Sequence, residues 1–199
     1  MWTIRSRFMI APAVPALVAL LVAGCGGGSG DSSSAAPAPA AADLVARGKY
    51  LVTTSGCGDC HTPLRFGANG PEPDATRLLS GHPADVVVPP ATLPDGWVML
   101  TAMPGTAFLG PWGLSYAANL TPDATGLGHL TEDMFLKIFR TRQHFGSGRP
   151  ILLPMPYAYS EMTDDDLKAM WHYLRSIPPV QNTVPDPVPA AAPAASPSE

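Results

Sequence analysis

Five residues, Cys57-Gly58-Asp59-Cys60-His61, constrain this chain more than any other feature. Cys-x-x-Cys-His is the spacing at which a polypeptide attaches covalently to a c-type haem. Each thiol adds across one haem vinyl group, and two intervening residues let the loop span both vinyls from one side of the ring. The next residue then has its imidazole beneath the iron, where nitrogen serves as the proximal axial ligand. Cys57 and Cys60 are therefore the covalent anchors of one haem c, and His61 is the proximal iron ligand. The motif occurs once, which makes this a monohaem chain.

A bare Cys-x-x-Cys has other uses, as a redox dithiol or as half of a zinc site. The dithiol reading wants a βαβ pattern around the motif, and none is visible. The zinc reading wants a second ligand pair, but the remaining cysteine, Cys25, belongs to an export signal. Arg5 and Arg7 precede an apolar run, Phe8 to Val22, that is too short to span a membrane as a stable helix and ends in Val22-Ala23-Gly24-Cys25. This ending resembles the lipobox of bacterial lipoproteins, in which lipid is attached to the cysteine and cleavage makes it the mature N-terminus. On that resemblance residues 1–24 are a lipoprotein signal peptide and Cys25 is acylated. Ordinary cleavage nearby and an uncleaved anchor helix are the alternatives. All three cysteines are then used, leaving none for a disulfide. Acyl chains, at about 0.8 kcal/mol per buried methylene, would hold the protein at the periplasmic side of a bacterial membrane. Gly26, where lipoproteins retained in the inner membrane commonly carry aspartate, leaves either membrane open.

The formal charge of the full chain is −4, and loss of Arg5 and Arg7 with the signal takes it to −6. Such a balance argues against nucleic acid and anionic lipid surfaces. It favours a protein partner with a basic face, met under salt-sensitive electrostatic steering.

Residues 25–42, rich in Gly, Ser, Ala and Pro, read as a flexible tether. Residues 185–199, rich in Pro and Ala, read as a disordered tail. Residues 43–184 remain as one globular domain. Asp43 is expected to cap a helix over Leu44 to Val52, with Leu44, Gly48 and Leu51 or Val52 on one face. Thr131-Glu132-Asp133 opens a second helix to about Thr141, with Met134, Phe135, Ile138 and Phe139 on its apolar side. A third runs from Thr163 to about Ser176, its buried stripe Leu167, Met170, Trp171 and Leu174, and ends before Pro178 and Pro179. Thr62 to Asn119 shows little periodicity and is expected to form loops and short helical turns over the haem edge. The expected fold class is all-α.

A helix before Cys-x-x-Cys-His and a helix closing the domain resemble a class I cytochrome c, whose two helices cross at a small residue opposite an aromatic one. Gly48 and Tyr173-Leu174 match those roles. The second half is similar to the haem domains in cytochrome subunits of membrane-bound alcohol, aldehyde and gluconate dehydrogenases. The residues that carry this are Asn119-Leu120-Thr121-Pro122-Asp123, Gly126-Leu127-Gly128, Pro154-Met155-Pro156-Tyr157, Met162-Thr163-Asp164 and Tyr173-Leu174-Arg175-Ser176-Ile177-Pro178-Pro179-Val180. The chain departs from those subunits in having one haem domain, where they have three, and in its lipid anchor. The resemblance implies a cytochrome c fold.

Met155 is the expected distal iron ligand. Prolines on both sides hold its loop extended, so sulfur is presented without melting a helix, and the dehydrogenase-type domains carry their ligand methionine in the same setting. A thioether closes the site and suits it to electron transfer. Met134 and Met170 fall on apolar helix faces and read as core. Met162 lies before a helix cap, within reach of a haem; Met99 and Met103 lie in the loop region. His82, His129 and His144 read as surface residues in Gly-rich loops, and His172 as solvated. Phe108 to Trp112 either shapes the haem edge or, as preferred, belongs to the core. The leading functional reading is a membrane-anchored electron carrier and not an enzyme. It would link a respiratory dehydrogenase or quinol-oxidising complex to a terminal oxidase or another cytochrome. The alternatives are a peroxidase-like enzyme or a haem sensor, both of which need a labile sixth ligand, and a structural subunit of a larger assembly.

Overall fold

The computed structural model describes residues 40–190. The expected signal peptide, Cys25, most of the expected tether and residues 191–199 lie outside the described residues. The described chain forms four α-helices, α1 (Ala41–Thr54), α2 (Cys57–His61), α3 (Glu132–Thr141) and α4 (Asp164–Ser176). Helix α4 begins at Thr163, whose hydroxyl accepts from the Asp166 amide at 3.1 Å, and three aspartates fill its first turn against the helix dipole. Thr131 caps α3 in the same way, accepting from the Met134 amide at 3.3 Å. Helix α1 is not capped by Asp43. The carbonyl of Ala40 accepts its first amides, those of Asp43 and Leu44, and Asp43 sits inside the first turn.

Helices α1 and α4 cross at Gly48. A Cβ there would lie 1.9 Å from the Ala169 carbonyl oxygen and 2.8 Å from the Tyr173 Cβ, so the crossing is as close as two backbones permit. Leu51 and Val52 from α1 meet Leu167, Met170 and Leu174 from α4 in the core. Phe135 of α3 joins them against Trp171, ring centroids 5.4 Å apart. Arg47 of α1 pairs with Asp166 of α4 at 3.0 Å on the exposed side, an ion pair of small energetic weight.

The expectation of an all-α fold is wrong: the chain mixes helices with two antiparallel sheets. Strands β1 (Leu64–Gly67) and β2 (Gly70–Pro73) make a hairpin closed by Ala68-Asn69. Strands β3 (Leu100–Ala102), β4 (Ala107–Gly110), β5 (Gly113–Tyr116) and β6 (Val188–Pro189) form a four-stranded sheet in that order. Strand β4 is covered on both faces, Ala107 and Phe108 being buried side by side, so it carries no alternating pattern. Strand β5 alternates in reverse: Gly113 and Ser115 point inward, and Leu114 and Tyr116 are the half-exposed residues. Its partner β6 lies in the segment expected to be disordered. Gly113 allows that pairing, because a Cβ there would stand 2.1 Å from the Val188 carbonyl oxygen.

The segment leading to β6 is latched by Asn182. This buried amide donates to the carbonyls of Ser80 and His82 at 2.7 and 2.9 Å and accepts from the Ala84 amide at 2.9 Å. Asn119 makes a second latch, donating to the Val180 carbonyl at 2.9 Å and accepting from the Thr121 amide and hydroxyl. His82, expected at the surface, is fully buried. Its Nε2–H donates to the Val86 carbonyl at 3.0 Å, so Nδ1 accepts from the Thr106 hydroxyl at 2.9 Å. Burial lowers its pKa and keeps the ring neutral. Replacing Asn182 with alanine leaves two buried carbonyls without a donor and releases the Ala84 amide, whose residue is exposed. The expected loss is about 3 kcal/mol, read as a shift in the urea midpoint with little change in slope.

Candidate functional site

The chain leaves α1 through Gly56, in the left-handed region (φ 70°), and turns at once into the single helical turn of α2. Cys57 and Cys60, three residues apart, share one face of that turn, and His61 follows at its end. All three line one cavity of about 470 Å³. Met155, in the irregular segment before α4, lines the same cavity.

Each side chain is held from behind. The His61 carbonyl accepts from the Gly81 amide at 2.8 Å, and the Thr62 hydroxyl accepts from the Leu79 amide at 3.0 Å, so the end of α2 is tied to the loop after it. The imidazole Nδ1–H of His61 donates to the Ala118 carbonyl at 2.7 Å. That bond fixes the tautomer and leaves the Nε2 lone pair free. Burial lowers the His61 pKa, so the ring stays neutral and able to ligate. The Tyr159 hydroxyl donates to the Ser55 carbonyl at 2.5 Å, bracing the residue before the turn. Burial, followed by the neighbouring thiols, pushes the Tyr159 phenol up to about 12.

Burial likewise pushes the Cys57 thiol up to about 11 and raises that of Cys60. A redox dithiol needs the opposite, a thiol whose pKa is depressed so that thiolate is present at neutral pH. Among the described residues no cluster of three or more His, Cys, Asp or Glu could hold a bare metal ion.

The cavity fits a haem. Its walls are mostly apolar, with Phe108, Leu120, Leu130, Phe139 and Leu174 among them, and its volume lies in the range of about 300–1,000 Å³ usual for cofactor sites. It presents two thiols on one helical face, a neutral imidazole with a free nitrogen, and a thioether. His129, His144, Arg149 and Asp186 add polar groups to the lining.

The remaining candidates divide between expected and unexpected positions; Met134 and Met170 are core as expected. Met134 and Met162 pack against the core and do not line the cavity. Met170 is buried and lines it from α4, and Met103 is exposed. His129 is exposed as expected and His144 is half-buried; both line the cavity and flank the Phe145 ring at 5.1 and 4.0 Å between centroids. His172 meets Glu132 at 3.4 Å. Phe108 is both core and cavity wall. The wall formed by Thr183 to Pro187 runs past the expected domain end at 184, because the proline-rich stretch from Pro185 reads as disorder until the latch at Asn182 is seen.

No family model matches the chain. Curated relatives do. The chain is 33% identical over 147 residues to the cytochrome c subunit of a quinone alcohol dehydrogenase from Gluconobacter oxydans (strain 621H), covering 68% of this chain and 24% of that protein. It is 30% identical over 140 residues to the cytochrome c subunit of a gluconate 2-dehydrogenase from Pantoea cypripedii, covering 69% and 24%. It is 29% identical over 132 residues to the cytochrome subunit of a fructose dehydrogenase from Gluconobacter japonicus, covering 65% and 20%. The match thus spans about a quarter or less of each relative's length. Over about two thirds of its own length, the chain is a homologue of the cytochrome c subunits of alcohol, fructose and gluconate dehydrogenases.

Proposed function

We propose that this protein is a monohaem electron carrier. Cys57 and Cys60 hold haem c covalently, His61 is the proximal iron ligand and Met155 the distal one. The observation that carries this is the cavity itself, which unites the two thiols, a neutral imidazole whose Nε2 is left free by its bond to Ala118, and the thioether of Met155. Held by His61 and Met155, haem iron would supply one-electron chemistry. The protein's part is to keep both ligands in place, exclude water with its apolar walls and present an edge for transfer.

Cys25 carries the lipid, residues 25–42 form the tether, and the domain works on the periplasmic side of a bacterial membrane. Among the described residues no helix is long and apolar enough to cross one. The relatives' names point to a dehydrogenase as electron donor. A terminal oxidase or another cytochrome takes the electrons onward, and the net negative charge favours partners with basic docking faces. A Cys25→Ala chain is expected to leave the membrane fraction, and its continued sedimentation with membranes would refute the anchor.

The test is the visible spectrum of the matured protein, oxidised and dithionite-reduced, with and without carbon monoxide. A sharp low-spin reduced spectrum indifferent to carbon monoxide supports a closed carrier. Rapid binding would redirect the reading to an enzyme or a sensor. Met155→Ala is expected to convert an unreactive ferrous protein into one that binds carbon monoxide stoichiometrically. An unchanged low-spin spectrum in that variant would remove Met155 from the site.

A further inference from the structure

We propose that Arg142 is the positioning residue for Met155, holding its loop closed from the side. The inference rests on the reading of Met155 as iron ligand and adds what keeps that ligand in place. Arg142 terminates α3 in the left-handed region (φ 52°, ψ 36°). Its own carbonyl accepts from the Ile151 amide at 2.8 Å, closing the loop between them. The guanidinium donates to the Pro156 carbonyl at 3.0 Å and to the Met155 carbonyl at 3.2 Å, and its carbon stands 3.9 Å from the centroid of the Tyr157 ring.

Three consecutive residues, Met155, Pro156 and Tyr157, are thus gripped by one planar group. The Met155-Pro156 pair itself has few other ties. The Met155 amide makes a long bond to the Leu152 carbonyl, at 3.3 Å, and Pro154 and Pro156 have no amide to give. The loop is pinned on either side, where the Ser115 hydroxyl donates to the Leu153 carbonyl at 2.7 Å and the Ser160 hydroxyl to the Tyr157 carbonyl at 2.7 Å. Among the described residues Arg142 has no carboxylate within salt-bridge distance, whereas Arg47, Arg65, Arg77 and Arg140 each have one. Its charge is spent on carbonyl oxygens, where a charged donor makes roughly twice the bond of a neutral one. Lysine would keep the charge but lose the fork and the stacking.

Arg140, two residues earlier, is the internal control. It donates to the carbonyls of Ser160 and Met162 at 2.5 and 2.6 Å and to the Asp164 carboxylate at 2.6 Å. Those contacts secure the turn before α4 and leave the methionine loop alone.

The experiment titrates imidazole into the ferric, haem-loaded full chain, since imidazole binds only where the thioether has left. Apparent affinity rises in proportion to the open fraction. Arg142→Ala is expected to bind imidazole about tenfold to a hundredfold more tightly than wild type, the size expected for losing two charge-assisted hydrogen bonds. Arg142→Lys should fall between the two, and it decides the matter if the alanine variant does not fold. Arg140→Ala should lower the thermal midpoint and leave imidazole affinity at the wild-type value. Wild-type affinity in both Arg142 variants would overturn the proposal. So would an equal rise in Arg140→Ala, which would mean general loosening. Met155→Ala separates the two readings. If it binds imidazole no better than wild type, Met155 is not the displaced ligand and the underlying reading fails. If it alone binds tightly, only the role of Arg142 fails.

Discussion

Leucine at position 48 is expected to leave the chain without a stable folded domain. Even the first carbon of such a side chain would lie 1.9 Å from the carbonyl oxygen of Ala169, a backbone atom that cannot swing aside. Helices α1 and α4 would have to separate by more than an ångström. Separation opens the contact of Leu51 and Val52 with Leu167, Met170 and Leu174, all of them buried. Overpacking a core usually costs about 1–3 kcal/mol. Here the lost packing adds to it, and a total of about 5 kcal/mol reaches the low end of a domain's whole stability. Urea unfolding of Gly48→Leu measures this. A loss below about 1 kcal/mol would show that the crossing tolerates a wider gap. Gly48→Ala, with one carbon added, is expected to fold with a clearly lowered midpoint.

The second large effect concerns the cofactor. The double variant Cys57→Ser, Cys60→Ser is expected to lose all haem that survives denaturation, measured by haem-dependent peroxidase staining after denaturing electrophoresis. Haem staining at wild-type intensity would refute attachment through these thiols. Folding should fail with it. At about 24 cal/mol per Å³, sustaining a cavity of about 470 Å³ costs at most roughly 11 kcal/mol, an upper bound because water enters an open cavity. That figure equals the stability of a typical domain. The variant should therefore lose near-ultraviolet circular dichroism while keeping much of its helical far-ultraviolet signal.

The helices were legible because their chemistry is local. Thr131 and Thr163 sit at the start of apolar stripes with acidic residues behind them, and both cap their helices in the structure. Helix α1 was legible in its face and not in its start, since Ala40 supplies only a backbone carbonyl. The sheets were hidden for three separate reasons. Strand β4 is buried on both faces, β5 turns glycine and serine inward, and β6 consists of two residues in a proline-rich stretch. In the site, the Cys-x-x-Cys-His spacing picked out Cys57, Cys60 and His61 and the flanking prolines picked out Met155, and all four line one cavity. The supports did not show. Asn182, Tyr159 and Arg142 act through side-chain bonds to backbone oxygens that lie from 13 to 104 positions away, and no local pattern announces such a bond. His82 misled because its Gly-rich surroundings look exposed, while its partners Thr106 and Tyr116 lie far along the chain.

The Asn182 latch also sets an order of assembly. It joins carbonyls of residues 80 and 82 to a side chain about a hundred positions later, and the wall it secures, Thr183 to Pro187, is among the last of the described residues to be synthesised. Contacts between such distant residues form late, because the intervening loop must be closed before they repay its entropy. Until then the cavity lacks one side while Cys57 and Cys60 are already made. On the proposed haem reading, a rigid ring could enter sideways through that open side before the late contacts close it.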